Sequence, residues 1–548
     1  MEMADKLLLR LKGMESQRAP YDSTRKELAE LYLPHKKAQD SKTPGEEGTE
    51  RIWDSTPAHA LQTLAARIYT LEMNPADEWL GIGFRDMRDG LIESDEFKQW
   101  ASKASTTVLD ILANEEVNAY TAHHQCTTDK VLFGAYAKFI EEDDGTILRE
   151  KALPLEEVYV SEAANGIVDT VYRKYSMTAR QVVQQWGIKR VSERVRKLLE
   201  EDKPEEPVQM LHAIYPRGDI GPDRIGNKAF PIASVYMEVQ DKHVLEESGY
   251  HEMPISFPRW ETGSGESYGR GPAITALADT RVLYAQIRSA MIVAEKMAAP
   301  VLLMSDDDAL HNPKPNIGPN GILYYRNPED KPQYLAAPGD LSAIGTMIER
   351  TTANIRQIYL SNELDDENRP VRTATEAQIK QADRLQQLSA VVGRGQSEGL
   401  TVEVRRRLGI LMRKGIIDPL PEGYTMRHLR FFYRNPVTQT QKMARAQELQ
   451  VFMEIIGMFT PEGQDPFGVM DWLDTDKIPE LAREVSGLDT KYLRSKQKVE
   501  EIRGQRAQAQ RQAQAIATAG QVADVAATAS KADMSKPNGL TALVGGAK

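Results

Sequence analysis

The sequence predicts a mixed α/β protein that is mostly helical, and three observations indicate this fold class. Residues 273–299 contain neither Gly nor Pro and carry an apolar helical periodicity, which is typical of one long helix. A second helical pattern occupies residues 341–360. By contrast, Val235, Met237 and Val239 alternate with Tyr, Glu and Gln, which is the period of two expected of a half-buried strand.

Composition places the chain among large globular proteins. At 548 residues it is too long for one hydrophobic core and should form several packed units. Its residues are 41% hydrophobic and 27% charged, and no apolar run approaches the length of about 18 residues that spans a bilayer. The charged start, Met1 to Arg10, does not have the pattern of a signal peptide. The single Cys126 excludes an intrachain disulfide and favours synthesis in a reducing cytoplasm.

The net charge of −11 bears on nucleic-acid binding. Proteins that bind DNA tightly neutralise its phosphates with Lys and Arg, so a net negative charge argues against a tight DNA-binding protein. A conduit has the opposite requirement, because fixed cations would slow DNA that must slide, and an acidic or mixed lining is expected there. The alternative is that the acidic residues only keep the protein soluble, and the net charge by itself favours this alternative.

The first 50 residues are predicted to form a helix, a break and a second helix. Pro20 is expected to end the first helix, because an internal proline removes a hydrogen bond and clashes with the preceding turn. Thr24 and Glu27 have the spacing of a capping box, which predicts the start of the second helix. Residues 39–50, rich in Gly, Pro, Ser and Glu, are interpreted as a flexible joint.

Two helices and a hairpin are predicted next. Helical patterns cover about 57–71 and 95–114. Residues 135–150 have the pattern of a hairpin, in which Asp144-Gly145 supplies a turn with positive φ.

A short helix is predicted before the main run of strands. Thr178 and Gln181 form a capping-box pair that opens it, and Gly187 is expected to close it.

The loop before the first long helix is rich in glycine and ends in a Gly-Pro step. Its last five residues are predicted to aim the helix: Tyr268, Gly269, Arg270, Gly271 and Pro272. Proline at the first helical position costs no hydrogen bond, since that N–H has no partner inside a helix. The two glycines are expected to adopt backbone angles that are closed to other residues.

The same loop lacks the sequence of a nucleotide site. A P-loop ends in Gly-Lys followed by Ser or Thr, and the chain contains no such step. The spacing Gly263-x-Gly265-x-x-x-Gly269 also misses the dinucleotide fingerprint by one position. We therefore expect no nucleotide or other cofactor.

Both long helices carry charged and apolar faces. Arg281, Arg288 and Glu295 recur every seven residues and therefore project from nearly one face of the first helix. In the second helix, with Asp340 as its N-cap, the outward charged residues are Glu349, Arg350 and Arg356, and the inward apolar ones are Leu341, Ile344, Ile348, Ile355 and Tyr359. These charged residues form either the solvent-exposed face of ordinary amphipathic helices or, in a ring, a salt-bridged subunit interface or the lining of a channel.

Other chemical candidates are weak. His123, His124 and Cys126 have no second ligand pair at zinc spacing, which favours a structural or surface role. The run Asp306–Asp308 lacks regularly spaced oxygen ligands and is interpreted as a solvated acidic loop. No Gly-x-Ser-x-Gly elbow is present. We expect neither a metal site nor enzymatic activity.

Several sequence strings, in order and spacing, resemble those of the portal (head-to-tail connector) proteins of short-tailed bacteriophages. They are Asp54–Leu61, Met73–Pro75, Arg259–Pro272, Glu295–Pro300, Arg372–Glu376 and Ala444–Gln447. The chain departs from the family pattern where Gly393, Gly395 and Gly399 interrupt a long helix.

The resemblance implies a domain order and a ring. The implied parts are a mixed α/β wing (1–270), a first stem helix (271–300), a clip (301–339), a second stem helix (340–361), a tunnel loop (362–373), a long wing helix (374–420), a helical crown (421–505) and an Ala/Gln-rich tail (506–548). The tunnel loop would present Asp365, Asp366, Glu367, Arg369 and Arg372 to the bore; an ordinary exposed loop is the alternative. The basic segment 491–511 is either a solvated helix face or a surface for DNA or internal virion proteins.

The function implied by the resemblance is a channel at one capsid vertex. A ring of twelve subunits would pass double-stranded viral DNA during packaging and ejection. It would dock the terminase motor, then a tail adaptor protein, and would contact major capsid, scaffolding and internal core proteins, without any membrane. Assembly is expected in the host cytoplasm. One alternative is a scaffolding or tail-adaptor protein without a bore. The other is a packaging ATPase or nuclease, but the sequence contains neither a P-loop nor an acidic metal cluster, which argues against it.

Overall fold

The computed structural model describes most of the N-terminal two thirds of the chain and parts of the remainder. The described residues are 3–36, 52–85, 87, 93–218, 229–298, 302–303, 333–334, 341–361, 386–434, 450–452, 454–455, 499 and 501–513. They form a mixed, mostly helical structure, as the sequence predicts.

The main helices before the glycine-rich loop are α1 to α6. Their bounds are α1 Met3–Tyr32, α2 Thr56–Glu72, α3 Asp95–Leu112, α4 Ala119–Phe133, α5 Ala179–Trp186 and α6 Glu193–Glu200. The predictions of α2, α3 and α5 are confirmed. At α5 both hydrogen bonds of the Thr178/Gln181 capping box are present, and Gly187 ends the helix with φ of 82°.

Later helices include the two long ones. They are α7 Pro272–Ala298, α8 Leu341–Ile358 and α9 Thr401–Arg413. Residues 501–513 are also helical. With 27 residues, α7 is about 40 Å long at 1.5 Å per residue.

The predicted break at Pro20 is wrong, because α1 runs through it without interruption. The missing N–H costs the helix one hydrogen bond. Contacts on both sides offset that loss: Leu7 and Leu11 pack on a sheet, and Leu28 packs in a separate cluster. Thr24 therefore lies inside a helix and does not cap one.

A five-stranded antiparallel sheet is the largest described sheet, in the order β4-β5-β6-β7-β8. Its strands are β4 Val158–Glu162, β5 Val168–Thr178, β6 Pro207–Pro216, β7 Ile232–Glu238 and β8 His243–Tyr250. The strand predicted around Val235 is β7. One face packs on the first half of α1, and the other packs on α5 and α6.

Three smaller sheets complete the described strands. The hairpin β2 Ala137–Asp143 and β3 Ile147–Leu153 continues into β9 Ile255–Ser256. β1 Leu80–Phe84 pairs with β12 Leu429–Tyr433, and β10 Leu302–Leu303 pairs with β11 Gln333–Tyr334.

The predicted hairpin between β2 and β3 is confirmed, but its turn differs from the prediction. Ile147, with φ of 73°, has the positive φ, and Gly145 does not. Asp143 accepts hydrogen bonds from the Thr146 amide and hydroxyl, 2.9 and 2.8 Å, and so organises the turn with its side chain.

Two predicted boundaries after residue 374 are also wrong. The helix before residue 420 ends at Arg413, and its described residues 386–413 include a π-helical turn at Gly395–Leu400. The predicted helical crown from 421 begins instead with the strand β12. Leu429, Phe431 and Tyr433 pack in the cluster of α3 and α9, with a strand's period of two.

Candidate functional site

The candidate site is the pair of long helices, α7 and α8, and the loop that precedes them. At the base of the pair Leu283 and Ile355 are fully buried. The Thr351 hydroxyl donates a hydrogen bond of 3.2 Å to the Gln286 amide oxygen and so joins the two helices. Tyr359 lies edge-on to Tyr32 of α1, with ring centroids 6.3 Å apart. The base is therefore part of the hydrophobic core.

The outer halves of the two helices are different, because large apolar side chains stay exposed there. No residue of α7 after Tyr284 is buried. Exposed large apolar side chains on the outer halves are Met291, Ile292, Met297, Leu341 and Met347, with Met347 reaching 60%; Val282, near the base, is also exposed. Leu341, predicted to face inward, is one of them. Concentrated exposed apolar surface of this kind is typical of a protein–protein contact.

The glycine loop, residues 259–271, meets the end of α4 backbone to backbone. A Cβ on Gly271 would lie 2.6 Å from the carbonyl oxygen of Val131, and a Cβ on Gly269 would collide with the carbonyl oxygen of Gly134. Neither Gly269 nor Gly271 has positive φ. The predicted reason for these glycines is therefore wrong: close approach of two backbones, and not special angles, excludes a side chain.

Arg259 fixes the start of this loop through a bidentate ion pair. Its Nε and Nη2 lie 3.1 and 3.0 Å from the two carboxylate oxygens of Glu398, and Nη1 contacts Glu162. Burial opposes the charged form of Arg259, but the two carboxylates outweigh burial and raise its pKa. Glu398 belongs to the π-helical turn, so this ion pair joins the loop to the helix that contains α9.

Tyr268 anchors the other end of the loop in the core. Its hydroxyl accepts a 3.2 Å hydrogen bond from the Val160 amide, and its ring packs 5.2 Å from that of Tyr21. Arg270 is exposed and pairs with Glu266 within the loop. Pro272 is the first residue of α7, as predicted. The five predicted loop residues thus join α7 to α4 and β4.

The charged residues predicted on the helix pair do not share one environment. Arg281 pairs with Glu27 of its own α1 through two hydrogen bonds of 2.6 and 2.5 Å. Arg356 is half-buried. The other four are exposed and make no ion pair with another described residue: Arg288, Glu295, Glu349 and Arg350. These four remain available for contacts outside the subunit.

Comparison with known proteins decides the family. Residues 4–493 match the family described as bacteriophage head to tail connecting protein. The chain belongs to this family. It is 28% identical to the probable portal protein of Bordetella phage BPP-1, over 98% of this chain and 97% of that protein. It is 26% identical to the portal protein of Salmonella phage epsilon15, over 99% and 98% of the two chains.

Several sequence predictions for this connector-family chain lie outside the described residues. They are the tunnel-loop residues Asp365, Asp366, Glu367, Arg369 and Arg372, the N-cap Asp340 and the run Asp306–Asp308. Within the described residues, no group of three or more His, Cys, Asp and Glu side chains could hold a metal ion. His123 and Cys126 are buried and His124 is exposed. None of the described helices is long and apolar enough to cross a bilayer.

Sequence reasoning missed a fully buried charge network of two cations and two carboxylates. Lys138 of β2 lies 2.7 Å from Glu150 of β3 and 2.9 Å from Glu403 of α9. Arg407, also on α9, contacts the same carboxylates at 2.6 and 3.0 Å. Burial raises the pKa of Glu403, but the two cations outweigh it and lower that pKa to about 2. The i,i+4 spacing of Glu403 and Arg407 was the local signal.

A second buried pair lies under the π-helical turn. Lys130 Nζ is 2.5 Å from Glu72 Oε1, and both side chains are fully buried. A Cβ on Gly395 would lie within 2.5 Å of that Lys130 nitrogen, so glycine lets the turn close over the pair. His123, 3.5 Å from Glu72, has its pKa lowered well below the usual value, chiefly by burial. Two of the three glycines that interrupt the predicted long helix, Gly395 and Gly399, thus belong to the π-helical turn.

Proposed function

We propose that the chain is the subunit of a portal ring that forms a DNA channel at one capsid vertex. The observation that carries the proposal is the match to the connector family along residues 4–493, with two portal-protein relatives aligned over nearly their full lengths. The helix pair supports it from the structure. Its base is held in the core, and its outer half exposes apolar side chains of the kind that a neighbouring subunit would cover.

In this proposal the ring has twelve subunits, and a head-to-tail arrangement of identical subunits stays finite only because its rotation closes. Double-stranded viral DNA passes through the bore during packaging and ejection. The role is structural, with energy supplied by a separate terminase that docks during filling. A tail adaptor protein replaces the terminase after filling. Major capsid, scaffolding and internal core proteins also contact the ring. Assembly takes place in the host cytoplasm.

The proposed parts follow the sequence scheme with two changes. The wing comprises residues 1–270 together with 386–434, because β12 pairs with β1 and α9 packs against β2 and β3. α7 and α8 are the stem, 301–339 is the clip and 362–373 is the tunnel loop. The crown then begins after residue 434, and the tail is 506–548.

Negative-stain electron microscopy of the purified full chain tests the proposal. A portal subunit gives rings with an axial hole, whereas a scaffolding or tail-adaptor protein gives particles without a bore. Deleting residues 365–369 is the companion experiment: ring yield should stay at the parental level while DNA packaging or retention changes. Unchanged packaging and retention would remove the tunnel-loop assignment and leave the ring intact.

A further inference from the structure

A cavity of about 380 Å³ lies where the two-stranded sheet β1–β12 meets α9. Its lining contains three arginines and no acidic residue: Arg85, Thr401, Arg405, Leu429, Arg430 and Phe431. In a chain of net charge −11, three cations around one cavity form a locally basic site. Arg85, Arg405 and Arg430 are all exposed.

The fold brings these arginines together from distant parts of the sequence. The Arg85 amide donates a 2.7 Å hydrogen bond to the His428 carbonyl, and Arg430 pairs with Gly83. Arg85 and Arg430 are therefore diagonal neighbours, about 7–8 Å apart between Cα atoms, on the sheet face opposite Leu429 and Phe431. They meet Arg405 of α9 at the edge of the sheet, where all three residues line the cavity. Arg405 follows Thr401 by one helical turn, and the Thr401 hydroxyl lies 2.9 Å from the Tyr433 hydroxyl, which holds α9 to β12.

The ion pairs of neighbouring residues make this site distinctive. Arg405, Arg406 and Arg407 are consecutive, yet Arg406 pairs with Glu252 at 3.1 Å and Arg407 pairs with buried carboxylates. Within the described part of the chain, the guanidinium groups of Arg85, Arg405 and Arg430 make no ion pair; that of Arg430 lies 4.9 Å from the Phe432 ring centre. Three guanidinium groups therefore remain for an anionic ligand.

We propose that this cavity, the arginine site, binds phosphates of the double-stranded viral DNA without reading its sequence. The inference rests on the proposed portal function. Guanidinium groups match phosphate oxygens bidentately, and duplex DNA presents the dense row of charges that a three-arginine cavity can neutralise. An acidic peptide fits less well, because the apolar residues of the lining offer it little surface: Leu429 is only 3% exposed, and Phe431 packs in the core cluster. Phe432, beside Arg430, is exposed but lies outside the lining.

Fluorescence anisotropy with the full chain and a labelled random-sequence 30-base-pair duplex tests the arginine site between 50 and 200 mM salt. The triple variant Arg85→Gln, Arg405→Gln, Arg430→Gln should bind at least tenfold more weakly at 50 mM. Because each phosphate contact contributes about 0.9 to the slope of log K against log salt, the slope should become shallower by about 2–3. Arg405→Gln alone should make the slope shallower by about 1.

A control variant with the same charge change separates the site from net charge. Arg149, Arg180 and Arg190 are exposed and lie outside the cavity, and their triple replacement by Gln should change DNA affinity less than threefold. If the two triple variants bind DNA equally, the arginine site is overturned. If polyglutamate of matched charge displaces the duplex as well as unlabelled DNA does, the site belongs to an acidic protein and the proposal is again overturned.

Ring yield, measured by mass photometry on the same samples, keeps the two proposals apart. Parental rings that bind DNA equally with or without the three arginines contradict the arginine site and leave the portal function standing. Absence of rings in the parent contradicts the portal function, while the comparison of triple variants still decides the DNA site.

Discussion

Gly134 and Gly271 lie backbone against backbone at the point where α4 ends and α7 begins. A Cβ on Gly134 would be 2.5 Å from the Gly271 nitrogen, and a Cβ on Gly271 would be 2.9 Å from the Gly134 nitrogen. Contacts this short involve backbone atoms that no rotamer change can move. The direction of α7 therefore depends on two residues that have no side chain.

Gly271→Val should give folded protein that forms few rings. The added side chain would push the start of α7 away from Val131, and overpacking of this kind typically costs about 1–3 kcal/mol of unfolding free energy. In a ring every subunit would carry the same angular error. Size-exclusion chromatography measures ring yield, and circular dichroism checks the fold. Gly13→Ala is the control, since a Cβ there meets no atom within 4 Å; parental ring yield from Gly271→Val would contradict the assignment.

Replacing exposed apolar residues of the helix pair should abolish rings without unfolding the subunit. Met291 and Met347 are 53% and 60% exposed, so Met291→Glu with Met347→Glu should change the free energy of unfolding by about 0.5 kcal/mol or less per site. Burial of those carboxylates between subunits would oppose assembly. Ile188→Glu, at a residue 53% exposed outside the pair, is the matched control. Normal ring yield from the double variant would show that this surface is not a subunit contact.

Two buried arginines on α1 should respond to substitution in opposite ways. Arg18 donates to the carbonyls of Glu156 and Val158 at 2.6 and 3.1 Å, whereas neither Nη atom of Arg25 has a hydrogen-bond partner among the described residues. Burial, together with Arg18, lowers the pKa of Arg25 to about 10. Arg18→Met should destabilise by about 2–3 kcal/mol, because buried carbonyls lose charged donors.

Arg25→Met, by contrast, removes a buried charge whose guanidinium contacts the face of the Tyr268 ring, 5.1 Å away, and makes no ion pair with a described residue. This substitution should be neutral or stabilising. Urea unfolding of both variants provides the comparison. Equal destabilisation of the two would show that Arg25 contributes a stabilising contact.

The buried charge network should behave as one unit. Lys138→Met leaves an excess buried carboxylate and should cost about 3–5 kcal/mol, as should Glu403→Gln, which leaves an excess cation. The double variant restores neutrality, so its destabilisation should be smaller than the sum of the two. Additive effects in urea unfolding would contradict direct coupling of these side chains.

The same network predicts a pH dependence. Since the pKa of Glu403 is lowered to about 2 from an ordinary value of 4.5, the stability that its ionised form contributes is fully present above about pH 4.5. It is lost as the pH falls from 4.5 toward 2. The unfolding free energy of the parent should therefore fall over this range, and that of Glu403→Gln should fall less. Equal losses in the two proteins would contradict the lowered pKa.

Local sequence signals predicted elements whose ends are set by local chemistry. Pro272 opens α7, and the Thr178/Gln181 capping box opens α5, because each satisfies backbone groups within one turn. Long-range packing decided the rest. α1 continues through Pro20 because both halves pack on different parts of the fold, and β12 is a strand because its partner is β1. The arginine site and the buried charge network likewise need residues from three or more elements, which periodicity cannot reveal.

The most direct test of the portal proposal is electron cryomicroscopy of the assembled full chain. We expect a closed ring with an axial bore in which α7 and α8 of each subunit form the wall. Met291 and Met347 should be covered by a neighbouring subunit, and Glu27 should still pair with Arg281 of its own chain. A ring whose bore is lined by other elements would contradict the stem assignment. Particles without a bore would contradict the portal function itself.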